Sequence, residues 1–232
     1  MLRSRLAKKG GSLVVQYVII MWLMAVALAF YAWLHPSFAW ILLWSSLSFS
    51  LVAIGYAGLG ARVFGKTSSG IIPWWSKLIL SPYIVLIYIL WHVTRLVSKE
   101  APRHEIDASI VIGRRLLESE AQGDYDYYID LTAEFEEPKG IRQRNSYVSF
   151  PILDAGVPTA GELEQLLSQV KGGRVYIHCA QGHGRTGLVA IALLLRQEKV
   201  KTVSEGMRLL QQQRTRLKLN QLQEKFLEEF AS

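Results

Sequence analysis

Cys179 is the only cysteine among 232 residues, and it stands in the run His178-Cys179-Ala180-Gln181-Gly182-His183-Gly184-Arg185-Thr186-Gly187. The apolar residues Val175-Tyr176-Ile177 before it read as a short buried strand, and Leu188 to Leu195 after it as a buried helix. A loop that joins a strand to a helix N-terminus aims several backbone N–H groups at one point, forming an anion nest. Gly182, Gly184 and Gly187 relieve the steric limits on so curled a backbone. The same field favours a thiolate, which makes the sulfur a ready nucleophile. Arg185 supplies a planar fork suited to two phosphoryl oxygens. Thr186 places a hydroxyl where it can hydrogen-bond the sulfur and ease its departure. Attack of the sulfur on phosphorus would give a phosphocysteine, which water then hydrolyses. The predicted phosphate-binding loop is therefore Ala180, Gln181, Gly182, His183, Gly184 and Arg185, with Cys179 as nucleophile.

Such a reaction also needs an acid for the leaving alcohol and a base for the water, and one carboxyl group can serve as both in turn. Asp154 is the candidate. It lies in Pro151-Ile152-Leu153-Asp154-Ala155-Gly156-Val157-Pro158, a loop between an apolar strand pattern and a capped helix. His178 is read as a residue that orients the loop, and His183 as either a leaving-group contact or a solvent-facing side chain. Gln221 or Gln223 is a candidate for positioning the hydrolytic water. Arg114-Arg115, Arg142, Arg144 and the Arg214-Thr215-Arg216 cluster are read as solvated surface charges.

The elements that position these residues follow from periodicity. Ile110 to Gly113, Tyr127 to Leu131 and Tyr147 to Phe150 read as strands, the last ending at Pro151. Thr159 with Glu162 forms a capping box ahead of Leu163, Leu166 and Leu167 at helical spacing, and Thr202 with Glu205 forms another. Leu219 to Phe230 reads as a final amphipathic helix. Strands alternating with helices imply an α/β unit with a mostly parallel central sheet flanked by helices.

The chain before this unit is of another kind. Residues 1–99 contain nine Lys/Arg and no Asp or Glu, whereas the remainder has 17 Lys/Arg against 19 Asp/Glu. The overall charge of +7 thus belongs to the N-terminal part, and no nucleic-acid partner is expected for the catalytic unit. From Gly10 to Ala61 there is no charged residue, a run long enough for two membrane crossings. His35-Pro36 divides it, so helices are expected over about 12–34 and 37–59. A third apolar segment, about 75–94, contains Pro82 and is framed by Trp74, Trp75 and Trp91 as interfacial anchors would be. Those aromatic ends are about 25 Å apart on a helix, so the segment either spans or lies at the interface.

The expected organisation is thus an N-terminal α-helical transmembrane region of two to three helices, residues 1–97, followed by a catalytic domain, 98–232. The chain is read as a multi-pass integral membrane protein. With three crossings the loop charges place the N-terminus inside and the catalytic unit outside; with two, the unit is cytoplasmic.

Residues 178–187 match the pattern His-Cys-x-x-Gly-x-x-Arg-Ser/Thr-Gly, and Asp154-Ala155-Gly156-Val157-Pro158 lies 25 residues before the cysteine. With Ile129-Asp130-Leu131-Thr132 at an earlier strand end, the chain over about 105–231 resembles the cysteine-dependent protein tyrosine and dual-specificity phosphatases. The resemblance implies Cys179 as nucleophile, Arg185 as phosphate clamp, Asp154 as general acid and then base, and no metal or other cofactor. Ala180 and His183 stand where phosphoinositide-specific members carry a pair of lysines. There is no Trp-Pro-Asp acid loop, so a compact dual-specificity type fits better than a large phosphotyrosine domain. A linker of about a dozen residues reaches at most roughly 40 Å. That keeps the site near the bilayer and implies a phosphorylated lipid or a membrane-associated phosphoprotein as substrate. A membrane-tethered inactive phosphate-binding module is the competing reading.

Overall fold

The computed structural model describes residues 2–121 and 123–231; the side chains of Arg3, Arg5, Lys8 and Lys9 lie outside those described. Three helices come first: α1 (Leu2–Leu34), α2 (Ala39–Ile54) and α3 (Trp74–Val97). Spans within 13–34, 36–64 and 74–97 are long and apolar enough to cross a membrane. The chain reverses after α1 at Pro36, which opens a short 3-10 turn, as expected of a residue that cannot continue a helix. After α2 the helix widens into one π turn over Gly55–Leu59 and reaches Gly60 at φ 67°, where a glycine lets it turn away.

Pro82 sits inside α3 and removes the N–H that would bond the carbonyl four residues earlier, Leu78 O. That carbonyl accepts from Trp44 Nε1 of α2 at 3.1 Å and from Ser81 Oγ at 2.9 Å. The broken rung is thereby repaired and spent on helix packing. Ser46 Oγ likewise donates to Ala25 O at 2.7 Å, joining α2 to α1. In an apolar surrounding such polar groups must find partners within the protein. α3 is longer than the expected 75–94, at about 36 Å by helical rise. Its full length therefore exceeds the separation of its aromatic ends.

The remainder is a five-stranded sheet with helices: β1 (Arg103–Glu105), β2 (Ile110–Arg114), β3 (Tyr127–Thr132), β4 (Tyr147–Ile152) and β5 (Val175–Cys179). The spatial order is β1-β2-β5-β3-β4, with β1 antiparallel at the edge and the other four parallel. Alternation sorts the strands' side chains. Ile110, Ile112, Ile129, Leu131, Val175 and Ile177 face one core, shared with α5 (Ala160–Gln169), α6 (Gly184–Arg196), α7 (Val203–Gln213) and α8 (Gln221–Phe230). Val111, Tyr128 and Tyr176 face the other, covered by Leu116, Tyr125 and Ile141 of the short helix α4 (Lys139–Arg142). A sheet covered on both faces is the usual setting for parallel strands.

Three sequence expectations are corrected. β1 lies inside residues 96–107, the dozen or so read as the linker, because Arg103 to Glu105 pair with Gly113 to Val111 at the open edge of the sheet. β4 runs through Pro151 to Ile152; as the last strand it has an outer edge at which a missing N–H is tolerated. α8 starts at Gln221 behind a capping box of Asn220 and Gln223 rather than at Leu219.

Candidate active site

Cys179 ends β5 and Gly184 opens α6, so the loop between them lies at the carboxyl end of a central parallel strand. That is the edge where open α/β sheets hold ligands. Gly182 adopts φ 73°, and a Cβ there would fall 2.4 Å from Gly113 O of β2, so only glycine fits. The loop's carbonyls are tied outward. Ala180 O accepts from Trp91 Nε1 at 2.9 Å and from Arg115 N at 3.3 Å, and Gln181 O accepts from the Arg214 guanidinium at 2.9 Å. Peptide units held by their carbonyls on one side turn their N–H groups to the other. Gly182 N–H donates to Cys179 Sγ at 3.2 Å, and the sulfur is buried.

Arg185 is 2% exposed. Its two terminal nitrogens donate to the two carboxylate oxygens of Glu134 at 2.9 and 2.7 Å, and one also donates to Ile152 O at 2.9 Å. Burial alone would lower its pKa, but Glu134 and Asp154 outweigh it and raise it well above the ordinary value. Arg185 Nε lies 3.4 Å from Asp154 Oδ1, an ion-pair distance without hydrogen-bond geometry. Asp154 itself is half exposed, and its other oxygen accepts from Tyr17 Oη of α1 at 3.3 Å. The loop that carries it is moored to the cap of α8, since Asn220 Nδ2 donates to Ala155 O and Gln223 Nε2 to Gly156 O.

Behind the loop, His178 and Asp130 are fully buried, 3.9 Å apart. Asp130 accepts from Lys66 Nζ at 2.7 Å, Tyr147 Oη at 2.8 Å and Thr132 Oγ1 at 2.6 Å. Burial would raise its pKa, but Lys66 in contact holds it far below the usual carboxylate range. Burial lowers His178 to about 4, so the ring is neutral at pH 7. Asp130, Glu137 and His178 bring ligand atoms within 4.8 Å of one another. The positive charge in this cluster already comes from Lys66 on Asp130 and from Arg115, whose Nε donates to Glu137 at 2.7 Å.

The structure thus brings Cys179, Arg185 and Asp154 together, with Ala180, Gln181, His183 and Gly184 lining the same cavity of about 590 Å³. Thr186 departs from expectation: its hydroxyl is buried and makes no hydrogen bond within the protein, and the sulfur's donor is Gly182 instead. His183 faces neither reading cleanly; its Nε2 lies 2.8 Å from Glu100, at the cavity wall, where burial lowers its pKa. Gln223 lines the cavity and Gln221 does not. The arginines expected to be solvated are largely not. Arg114 pairs with Glu120, Arg115 with Glu137, and Arg214, 2% exposed, with Glu100. Arg142 and Arg144 bond the carbonyls of Glu137 and Ala121.

Sequence reasoning missed Glu134, Lys66, Trp91 and Tyr17. Glu134 had a signal: it follows the strand end Asp130-Leu131-Thr132, at the sheet edge where functional groups collect. The other three come from segments read only as membrane helices and their loops.

A mostly parallel sheet with a cysteine loop at one strand end and an arginine folded back into it is an arrangement suited to holding a phosphate group. The family model "Dual specificity phosphatase, catalytic domain" matches residues 116–232, and the chain belongs to that family. Over 87 residues it is 32% identical to 197R of Invertebrate iridescent virus 6, a protein named as a tyrosine phosphatase. That match covers 32% of this chain and 33% of the viral protein, so the chain spans about a third of the curated relative's length. Among solved structures, Tk-PTP in its active form superposes with a TM-score of 0.50 at 23% identity, over 56% of this chain and 96% of that one. PTPMT1 in complex with PI(5)P gives 0.47 at 18% identity, over 56% and 95%. At 23% identity the likeness to Tk-PTP is one of fold.

Proposed function

We propose that the protein is a membrane-anchored phosphomonoester hydrolase that works through a phosphocysteine. Residues 1–97 form its transmembrane region and 98–232 its catalytic domain, which makes it a multi-pass integral membrane protein. The observation that carries this reading is the convergence of Cys179, Arg185 and Asp154 on one cavity under the N-terminus of α6.

The Cys179 thiolate attacks phosphorus while the loop N–H groups and the Arg185 fork hold the non-bridging oxygens. The bond from phosphorus to the ester oxygen breaks, and protonated Asp154 gives its proton to the departing alkoxide. Asp154, now a carboxylate, takes a proton from water as that water attacks the phosphocysteine. Inorganic phosphate leaves and the thiolate is restored. The substrate is a lipid phosphate or a phosphoprotein met close to the bilayer, as the placement of three apolar helices against the site supports.

The test is the purified full-length protein in nanodiscs with p-nitrophenyl phosphate. Wild type should turn over and, quenched rapidly, should carry one labelled phosphate on Cys179. Cys179→Ser should do neither. Equal activity in the two proteins would remove the mechanism, and equal inactivity with retained phosphate binding would leave a non-catalytic phosphate-binding module.

A further inference from the structure

The cavity above Cys179 has two chemically different halves. Its floor is the phosphate loop with Arg185 and Asp154, and Lys218, exposed, stands at its edge. Its walls are apolar side chains of the three helices: Met21 and Met24 from α1, Phe49 from α2, and Leu86, Ile87 and Leu90 from α3. Tyr17 marks the boundary, stacking on Tyr56 at 5.0 Å on the apolar side while its hydroxyl reaches Asp154. α2 packs along both α1 and α3, with no comparable packing of α1 on α3 among the described residues, so the cleft lies between those two helices. Leu13 and Leu90, which line it, are 39% and 54% exposed, so the cleft has an apolar rim on the outer surface of the helices.

The walls discriminate between the two substrate classes left open above. An extended phosphopeptide carries a donor and an acceptor at nearly every residue, and each one buried without a partner is costly. Methionine, leucine, isoleucine and phenylalanine side chains offer no such partners. Of the hydroxyls that also line the cavity, those of Tyr17 and Thr94 are already bonded to Asp154 and Leu90 O, which leaves Tyr56 and Tyr83, too few for a peptide backbone. A hydrocarbon chain asks for none, and its contact with these walls is favourable. Two methionines suit chains of varied shape, because the thioether is flexible and polarisable. A volume of about 590 Å³ is that of a ligand-sized cavity.

Resting on the phosphatase reading above, we propose that the substrate is a long-chain lipid phosphomonoester. Its phosphate sits in the loop and the first part of its hydrocarbon chain lies in the cleft between α1 and α3. The apolar helices are then part of the substrate site.

Butyl, hexyl and octyl phosphate, each presented as monomers to the full-length protein in nanodiscs, test this. The value of kcat/KM should rise with chain length, by roughly fourfold for each methylene that enters the cleft. Leu86→Trp, which fills the apolar wall, should flatten that series relative to p-nitrophenyl phosphate; the wild-type series stands without it if the variant misfolds. A flat wild-type series, or a phosphotyrosine peptide preferred to octyl phosphate, would overturn the proposal while leaving the phosphatase reading intact. Failure to hydrolyse even p-nitrophenyl phosphate would instead bring down the underlying reading, and this one with it.

Discussion

Lys66, in the loop between the second and third helices, reaches across to Asp130 at the end of β3 with its ammonium 2.7 Å from the carboxylate, both side chains fully buried. The same ammonium donates to Thr132 O at 2.6 Å. A buried ion pair is costly to form but far costlier to halve. Lys66→Met should therefore destabilise the protein by about 3–5 kcal/mol, a drop of about 10 °C in melting temperature. Lys66→Met combined with Asp130→Asn should recover part of that loss, measured by thermal unfolding in detergent.

Trp91 donates to Ala180 O from within α3, and the same carbonyl is held by Arg115 N. Trp91→Phe keeps an aromatic side chain but removes this donor together with part of the buried indole, and the lost hydrogen bond alone costs about 1 kcal/mol. The loosened loop should bind vanadate or phosphate several-fold more weakly, read by competitive inhibition. An unchanged inhibition constant would mean that Arg115 N alone suffices to hold the Ala180 carbonyl.

In the proposed mechanism Asp154 serves only where a proton must move. Asp154→Asn should lower kcat/KM for octyl phosphate, which reports the step that expels the alcohol, by about 10²–10⁴, because an alkoxide leaves poorly unprotonated. The loss should be much smaller for p-nitrophenyl phosphate, whose leaving group needs no proton. Equal losses on the two substrates would remove Asp154 as the acid.

His178 imposes a pH dependence on folding. Burial holds it at about 4, below its ordinary 6.5, so the unfolded chain binds the extra proton between those values. Stability from this group is fully present above pH 6.5 and is lost as pH falls toward 4, by about 3 kcal/mol. Asp130 stays ionised across this window because its own pKa is held far lower. His178→Asn should flatten the melting temperature between pH 6.5 and 4.

The parts of the site legible in the sequence are those with local causes. The loop at 178–187 announces itself by residue types at fixed spacing, and α5 by Thr159 and Glu162, whose side chain and backbone bond each other three residues apart. The partners that decide charge and geometry were hidden, because Arg185 meets Glu134 at a separation of 51 residues and Trp91 meets Ala180 at 89. Arg115 and Arg214 look like surface charges for the same reason; the acids that let them be buried, Glu137 and Glu100, are distant in the chain. β1 was too short, at three residues, to carry a period.

Residues before 98 touch the catalytic unit at Asp130, Glu136, Asp154 and Ala180, and β1 begins at Arg103, only a few residues after α3 ends. A soluble fragment cut near residue 98 would leave the buried Asp130 carboxylate without its counter-ion and strip the acid and the phosphate loop of one neighbour each. The helices and the sheet should accordingly melt in a single cooperative transition, and phosphate binding or turnover measured on the isolated fragment would not carry over to the whole chain.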